Sequence, residues 1–358
     1  MADQDELRAL RDQCTRFLAG HGPVTAARML ATIPAGTEVD NYGHGGVVEA
    51  LETEISRVLG KPAATFLPSG VMAQQAVLRA HADARISRTI LFHPMCHLEQ
   101  HEEQAYQRLH GLTGRPVGQR DRLITLEDLQ AVAEPAAALL LELPQRDIGG
   151  QQPGFDDLAA QVSWARERGA AVHLDGARLW ESAAGYGKEP AEIAALFDTV
   201  YVSFYKGIGA LAGCCVAGPE DVIAQVREWR RRMGGTLYGL WPNAASALSC
   251  LAERLPRFPA YTEHARAIAA ALAQVPGVTV IPDPPQTPMM HLLLRVSEAG
   301  YCAAARAVAQ EQKVWLSPQA STATGDPQVR RLELSVGDAT LEVGPAEVAE
   351  IFGRVTAT

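Results

Sequence analysis

Short apolar runs alternate with helix-like segments from about residue 60 to about residue 220. Several of these runs are apolar at every position, which is typical of parallel strands that are covered by helices on both faces. This alternation predicts an α/β domain with a mostly parallel sheet. The predicted strands are Ala64–Leu67, Thr89–Phe92, Ala137–Leu141, Ala171–Leu174, Thr199–Ser203 and Cys214–Ala217, and helices are predicted at Val71–Ala82 and Phe155–Arg168.

The pattern changes after about residue 260, where helices and strands follow each other as in a smaller α+β domain. At 358 residues the chain also exceeds the usual size of a single core. We therefore expect an N-terminal arm (1–40), a large domain (41–260) and a small C-terminal domain (261–358). The elements predicted in the last part are Thr262–Gln274, Val278–Ile281, His291–Val296, Tyr301–Gln312, Arg331–Val336 and Gly344–Val355, with a surface turn at Pro282–Pro288.

The composition and charge of the chain limit the kinds of molecule that it is expected to bind. Hydrophobic residues make up 47% of the chain and charged residues 20%, as in ordinary globular proteins. The net charge of −9 disfavours a nucleic acid or an anionic membrane as partner. The acidic N-terminus lacks a secretory signal, and no apolar run is long enough to span a bilayer. Six cysteines without metal-ligand spacing complete the expectation of a reduced, cytoplasmic protein.

Two polar residues follow predicted strands and carry the strongest signals. Asp175, in His-Leu-Asp-Gly-Ala-Arg (173–178), ends an apolar strand, where α/β proteins bind ligands. A buried carboxylate there needs a cationic partner, either a protonated ring nitrogen or Arg178. Lys206, in Ser-Phe-Tyr-Lys-Gly-Ile-Gly (203–209), follows the next strand, and burial would make its amine nucleophilic toward an aldehyde. The alternatives are a helix-capping aspartate and a solvated lysine, and the pairing of the two motifs favours a functional site.

Two further segments also follow predicted strands and carry residues that could belong to the same site as Asp175 and Lys206. Ser69 and Gly70, in Phe-Leu-Pro-Ser-Gly-Val-Met-Ala (66–73), begin a helix whose N-terminus would bind a phosphate, although Ser69 could simply cap that helix. His97 lies in a segment rich in imidazole and carboxylate groups (94–102) and could stack on a cofactor ring or move protons. The rival interpretation is a metal site built on His93, His97 and His101. The four segments together fit pyridoxal 5'-phosphate (PLP).

These motifs resemble the threonine aldolase and β-eliminating lyase family of fold-type-I PLP enzymes, over roughly residues 40 to 355. The matching segments are His-Leu-Asp-Gly-Ala-Arg-Leu-Trp (173–180), Ala-Gly-Tyr-Gly (184–187), Tyr-Lys-Gly-Ile-Gly-Ala (205–210) and Phe-Leu-Pro-Ser-Gly-Val-Met-Ala (66–73). The resemblance implies the PLP-dependent transferase-like fold, with a large α/β domain and a small C-terminal domain. It also implies a small-molecule amino-acid substrate, no metal, and a homodimer or homotetramer.

The resemblance implies a role for each matching residue. Lys206 would hold the cofactor as an imine, and Asp175 would keep the pyridine nitrogen protonated. His97 would stack on the ring, with Glu102 at the family's spacing after it. The residues expected at the phosphate are Ser69, Gly70 and Val71, and those expected at the substrate are Arg178 (or near the phenolic oxygen of the cofactor), Arg331 at the carboxylate, Tyr42 from a neighbouring subunit, and Gln145.

Three departures from the family pattern concern the substrate. The usual Arg-Ser-Asp-Thr near the N-terminus is absent from the sequence. Gln145, in Glu-Leu-Pro-Gln-Arg (142–146), stands where the family has a histidine that contacts the substrate hydroxyl, and an amide cannot shuttle a proton. Tyr238 replaces an arginine after Gly234-Gly235.

The expected reaction is cleavage of a β-hydroxy-α-amino acid to glycine and an aldehyde, as in threonine aldolases. His97, directly or through water, is then the remaining candidate base. Two alternatives keep the cofactor: β-elimination or transamination of another small amino acid, in which Arg146 could accommodate an acidic substrate group, and a PLP-binding protein without catalysis. A metal-dependent hydrolase built on the three histidines is the alternative of another class.

Overall fold

The structure, a computed structural model, describes residues 2–357. Its strands are β1 (Arg16–Phe17), β2 (Ala63–Leu67), β3 (Thr89–Phe92), β4 (Thr113–Pro116), β5 (Ala138–Glu142), β6 (Ala171–Gly176), β7 (Thr199–Ser203), β8 (Cys214–Gly218), β9 (Val278–Ile281), β10 (Met289–Arg295), β11 (Val314–Trp315), β12 (Ser321–Ala323) and β13 (Val329–Ser335).

Helices occupy most of the remaining chain. They are α1 (Ala2–Asp12), α2 (Ala26–Leu30), α3 (Gly46–Leu59), α4 (Gly70–Asp83), α5 (His97–Gln100), α6 (Ala105–Arg108), α7 (Leu126–Gln130), α8 (Phe155–Glu167), α9 (Leu179–Tyr186), α10 (Pro190–Ala194), α11 (Glu220–Arg232), α12 (Trp241–Arg254), α13 (Phe258–Leu272), α14 (Glu298–Gln312) and α15 (Pro345–Thr356), with 3₁₀ turns at Arg146–Ile148, Leu255–Arg257 and Thr340–Glu342.

Packing divides the chain into two compact units. The larger unit runs from Thr25 to Pro256, and the smaller one combines the segment that ends at Val24 with the segment that begins at Arg257. In the smaller unit, β1 pairs in parallel with β11. The predicted division into an N-terminal arm (1–40), a large domain (41–260) and a small domain (261–358) stays a prediction.

The larger unit contains a seven-stranded sheet in the order β2-β8-β7-β6-β5-β3-β4. Neighbouring strands are parallel throughout, except that β8 runs antiparallel to both β2 and β7. The predicted mostly parallel sheet is therefore confirmed, and the six predicted strands all form. The sequence pattern missed β4, because its residues Thr-Gly-Arg-Pro are polar and mostly exposed, as is common in a short edge strand.

Helices cover the sheet and bury its strands on both faces. Every residue of β6 and of β7 is buried. Helix α3 presents one apolar face to the core, through Val48, Leu51, Ile55 and Leu59, and ends at Gly60, which has the left-handed conformation that glycine adopts readily. Burial of each such side chain contributes about 1.5–3 kcal/mol. The continuous apolar runs in the sequence reflect this two-sided burial.

The parallel arrangement brings the carboxyl ends of β5, β6 and β7 to one edge of the sheet. The register aligns Glu142 with Asp175, and Asp175 with Tyr201. Ligands of open α/β sheets bind at this edge, since loops that follow the strands converge there. We refer to it below as the carboxyl edge.

The smaller unit contains a four-stranded antiparallel sheet in the order β12-β13-β10-β9. Helix α15 packs against α13 and α14. The helices and strands predicted after residue 260 all form, within a few residues at their ends. The proline-rich segment Pro282–Pro288 is irregular as predicted, but it is not wholly at the surface, because Thr287 is fully buried. Across the described residues, no helix combines the length and hydrophobicity that a membrane span requires.

The central strand β5 provides a test of the core. Leu140 is fully buried in this strand, so Leu140→Ala should lower the free energy of unfolding by about 2–5 kcal/mol, through lost burial and the cavity that remains. Leu109 is 71% exposed, and Leu109→Ala should change it by less than about 0.5 kcal/mol. Urea unfolding followed by tryptophan fluorescence measures both. Equal effects of the two substitutions would contradict the assignment of β5 to the core.

Candidate active site

Asp175 lies at the carboxyl edge and is almost completely buried, with 2% of its surface exposed. Its carboxylate accepts one hydrogen bond, from the backbone N–H of Ala177 at 3.1 Å. Burial raises the pKa of Asp175, and the positive charges of Lys206 and His97 oppose that rise. The next residue has to be glycine, because a Cβ at position 176 would lie only 2.6 Å from the Tyr201 carbonyl oxygen. A buried carboxylate with so few donors is suited to a cationic ligand group.

Lys206 follows β7 and faces the same group of charges. Burial lowers the pKa of its amine, whereas the carboxylates of Asp175 and Glu142 raise it. The guanidinium groups of Arg178 and Arg146 lower it further. The predicted lysine and aspartate are thus brought together by the fold, and the balance of burial and charge favours a more readily deprotonated amine.

The N-terminus of α4 lies opposite two tyrosine hydroxyl groups. Ser69 precedes the helix in extended conformation, but its side chain does not cap it. The first-turn N–H groups, including those of Gly70 and Val71, are therefore available to an anion. A Cβ at position 70 would overlap the Tyr201 hydroxyl and lie 3.3 Å from the Tyr205 hydroxyl. Neither tyrosine is predicted from the sequence, although Tyr201 lies on β7 and Tyr205 just after it.

His97 begins the short helix α5 and pairs with a buried carboxylate. Its Nδ1 lies 3.0 Å from Glu102 Oε1, and Glu102 Oε2 accepts a hydrogen bond of 2.8 Å from Gln75 Nε2. The hydrogen bond to Glu102 raises the pKa of His97, and the negative charge of Asp175 also raises it. Burial raises the pKa of Glu102. The pairing of His97 with Glu102, which the sequence only suggested, is therefore present in the structure.

Glu142, the last residue of β5, organises two loops at the carboxyl edge. Its carboxylate accepts hydrogen bonds from the backbone N–H of His97 at 2.9 Å and of Arg146 at 3.1 Å. A third hydrogen bond, of 3.1 Å, comes from the side-chain amide of Gln145. Burial raises the pKa of Glu142, and the neighbouring charge of Asp175 raises it further. This role of Glu142 is not predicted from the sequence, although Glu142 lies at the end of an apolar strand, much as Asp175 does.

Gln145 is buried within the loop that follows β5. Its side-chain nitrogen donates to the Met95 carbonyl at 3.0 Å as well as to Glu142, so both amide protons are used inside the protein. Its backbone N–H donates to the Gln151 carbonyl at 2.8 Å. The predicted contact of Gln145 with substrate stays a prediction, and it would have to use the amide oxygen.

The other residues expected at the substrate lie in three places. Arg178 is largely buried, and its guanidinium donates to Glu181 Oε1 at 3.1 Å. Tyr42 is 52% exposed and packs edge-on against Tyr238, with 5.4 Å between ring centroids. Arg331 belongs to the smaller unit, where it pairs with Leu293 across β13 and β10. The larger unit thus contains every predicted site residue except Arg331.

The three histidines of the rival metal site bind different partners. His93 Nε2 lies 2.8 Å from the Arg122 carbonyl, His97 contacts Glu102, and His101 Nε2 lies 2.7 Å from Asp147 Oδ2. Within residues 2–357, no group of three or more His, Cys, Asp or Glu side chains could hold a metal ion. The burial of the Asp175 carboxylate and the lowered pKa of Lys206, near the N-terminus of α4, are features that suit PLP binding.

Comparison with known proteins gives the family. The model of the β-eliminating lyase family matches residues 22–296. A crystal structure of a protein from Listeria monocytogenes EGD-E, assigned as an L-allo-threonine aldolase, is 37% identical, covers 98% of each chain and has a TM-score of 0.92. A second structure, of a protein from Exiguobacterium sp. 255-15 assigned as an aromatic amino acid β-eliminating lyase/threonine aldolase, is 38% identical and covers 98% of this chain and 99% of the other, with a TM-score of 0.92.

A plant protein gives the same result. Low-specificity L-threonine aldolase 1 of Arabidopsis thaliana is 28% identical over 72% of this chain and 74% of its own length. The chain therefore belongs to the threonine aldolase and β-eliminating lyase family, whose members are PLP-dependent lyases of fold type I. The fold class and the family expected from the sequence are both confirmed.

The contact between His97 and Glu102 provides a test of the site's electrostatics. Glu102→Gln removes the negative charge that stabilises the imidazolium, so the pKa of His97 should fall. Titration of ¹⁵N-histidine-labelled protein by NMR measures this pKa, with the His97 signal assigned from a His97→Asn variant. Glu103→Gln changes an exposed carboxylate at the next position and should leave the pKa of His97 unchanged. An unaltered pKa in Glu102→Gln would show that the two side chains do not interact.

Proposed function

We propose that this protein cleaves β-hydroxy-α-amino acids to glycine and an aldehyde, with PLP bound at Lys206. The observation that carries the proposal is the grouping of Lys206 with buried Asp175 at the carboxyl edge, beside the uncapped N-terminus of α4. The assignments of the Listeria and Exiguobacterium proteins as threonine aldolases support the choice of reaction. Low-specificity threonine aldolases among the sequence relatives support it as well.

The residues present fit the cofactor. The carboxylate of Asp175 has one protein donor, so it can accept the N–H of a pyridinium ring, which would compensate for its burial. The N–H groups of Gly70 and Val71, assisted by Ser69, are suited to hold a phosphate at the start of α4. Lys206 would hold the cofactor covalently, and His97 would pack on its ring. When bound, the cofactor supplies an electron-withdrawing ring that stabilises negative charge at the substrate Cα.

The substrate would be held mainly by its carboxylate. Arg331 is the candidate, since a guanidinium binds a carboxylate through two parallel hydrogen bonds. Within the described part of the chain, its side chain takes part in no ion pair, in contrast to Arg330, which lies 3.3 Å from Glu298. Arg178 is close enough to Lys206 to lower its pKa and is the second candidate. Gln145 would contact the substrate only through its amide oxygen.

Tyr42 supports an oligomeric site. It combines a positive φ of 52° with an exposed ring, and its N–H donates to the Tyr238 carbonyl at 2.9 Å. Such an ordered, exposed aromatic pair is suited to a subunit interface. We propose that Tyr42 reaches the site of a neighbouring subunit in a homodimer or homotetramer. The composition and the acidic net charge support a cytoplasmic protein without a nucleic-acid or membrane partner.

Purified protein incubated with threonine, allo-threonine and phenylserine tests the reaction directly. Glycine and the matching aldehyde should form in equal amounts from at least one of the three. Ammonia and a keto acid without glycine would instead identify β-elimination, and amino transfer to an added keto acid would identify transamination. No turnover of any of the three would overturn the proposal.

Lys206→Ala should remove covalent cofactor binding and lower kcat by about a thousandfold or more, because the nucleophilic amine is lost. Lys206→Arg keeps the positive charge but cannot bond to the aldehyde, so it should fail equally. Borohydride reduction followed by peptide mapping should place the label on position 206 of the native protein. A label on another lysine, or an active Lys206→Arg variant, would refute the assignment.

Asp175→Asn keeps the size of the side chain but removes the charge that would hold the pyridine nitrogen protonated. We expect kcat to fall by about a hundredfold or more, as when other electrostatic stabilisers are removed, while the cofactor stays attached. Asp156→Asn, an exposed change at the start of α8, serves as the matched control. Steady-state kinetics with parallel cofactor quantification measures both. Full activity of Asp175→Asn would exclude the proposed role.

A further inference from the structure

Cleavage of a β-hydroxy amino acid requires a base for the hydroxyl proton, and this inference rests on the proposed function. The C=O bond of the aldehyde forms as the O–H proton leaves, so a group with a free lone pair must face the hydroxyl. Gln145 cannot accept a proton at neutral pH. The ring of His97 would pack on the cofactor, so His97 already has another role in the site. The site therefore lacks a dedicated base among the residues assigned so far.

A second imidazole–carboxylate pair lies beside His97. His101 Nε2 is 2.7 Å from Asp147 Oδ2, and the rings of His97 and His101 are 5.2 Å apart with an interplanar angle of 49°. His101 follows α5, where its backbone N–H donates to the His97 carbonyl at 2.9 Å. Asp147 lies in the 3₁₀ turn two residues after Gln145. Two separate loops of the carboxyl edge thus meet in this pair.

His101 and Asp147 each have a neighbour that interacts with Lys206: His97 lies beside His101, and Arg146 lies beside Asp147. The ring of His97 lies 5.2 Å from that of His101, and the charges of Asp175 and Lys206 both act on the pKa of His97. Arg146, which precedes Asp147 and lies 3.6 Å from its carboxylate, acts in turn on Lys206. His101 and Asp147 are therefore each next to a residue that interacts electrostatically with Lys206.

The hydrogen bond to Asp147 also determines which ring nitrogen of His101 carries the proton. A carboxylate that accepts from Nε2–H holds the proton on that nitrogen and leaves the lone pair on Nδ1. Nδ1 of His101 takes part in no hydrogen bond within the described residues. The side chain is 41% exposed, in contrast to the 17% of Asp147, so the imidazole is open to a small molecule while its partner is held in the loop.

We propose that His101, oriented by Asp147, is the base that removes the β-hydroxyl proton. The O–H proton moves to Nδ1, the O–H electron pair becomes the second bond of the aldehyde carbonyl, and the Cα–Cβ pair stays with Cα. The proton that His101 gains equals the proton that Cα requires to become glycine, so no other reactant is consumed. Asp147 acts through His101 and is a positioning residue.

His101→Asn tests the proposal on the holoenzyme, because asparagine keeps a polar side chain of smaller size but cannot take up a proton. We expect kcat/KM for threonine cleavage to fall by about a hundredfold or more. Exchange of the glycine α-hydrogen with deuterium in D₂O involves no β-hydroxyl group, so its rate should stay within about twofold of the native rate. A variant that loses both reactions together would assign His101 to folding or cofactor binding and would overturn the proposal.

Chemical rescue adds a readout that a structural role would not give. The exposed position of His101 leaves room for imidazole in a His101→Ala variant, so added imidazole should restore cleavage in proportion to its concentration. Imidazole should not change the rate of the native protein. Absence of rescue together with native-like activity of His101→Asn would refute the role of His101.

Asp147→Asn should lower kcat for cleavage by about tenfold with little change in KM, since the ring loses its orientation while the substrate carboxylate remains bound. Asp147→Glu should recover part of the loss. Glu103→Gln, an exposed change in the same segment, serves as the matched control and should retain native activity. A rise of KM with native kcat in Asp147→Asn would count against a positioning role.

The two proposals fail in different ways. If the native protein releases no glycine from any hydroxy amino acid, the proposed function fails, and the role of His101 in that cleavage fails with it. If the native protein cleaves threonine and His101→Asn cleaves it at the same rate, only the role of His101 fails. The glycine exchange assay reports on the cofactor-binding residues in both cases.

Discussion

The charge balance around buried Asp175 is the constraint on which the site depends. A carboxylate in this position is costly unless positive charge compensates it, and Lys206 and His97 supply such charge in the structure. Two opposing effects also act on Lys206: burial favours the neutral amine, and the charge of Asp175 favours the protonated one. Under the proposed function, a pyridinium ring between these groups would compensate the carboxylate and leave the lysine amine free to react.

Hydrogen bonds from Glu142 extend this arrangement to the surrounding loops. By accepting from the backbone of His97 and of Arg146, one carboxylate fixes both the segment that carries the two histidines and the turn that carries Asp147. Gln145 completes the connection through its buried amide. Gln145 therefore has a structural role in this loop, and the proposed base, His101, lies in a neighbouring segment.

Much of the fold could be predicted from the sequence, since strands buried on both faces must be apolar at every position. The six strands of the large sheet that were predicted and the elements after residue 260 all form. The exposed edge strand β4 could not be predicted, because polar residues in an exposed strand give no period that differs from a loop. The partial burial of Pro282–Pro288 was missed for a similar reason: proline and threonine indicate a turn but not what covers it.

The sequence by itself determined the family and the mostly parallel sheet, because these follow from local patterns and motifs, and it gave Asp175 and Lys206 as candidates near the ends of neighbouring strands. Only the tertiary structure decided which side chains meet. The approach of Tyr201 and Tyr205 to Gly70, the position of Glu142 between two loops, and the contact of His101 with Asp147 join segments far apart along the chain. Strand order and register determine which of these segments meet, and neither can be predicted from the residues that make the contacts.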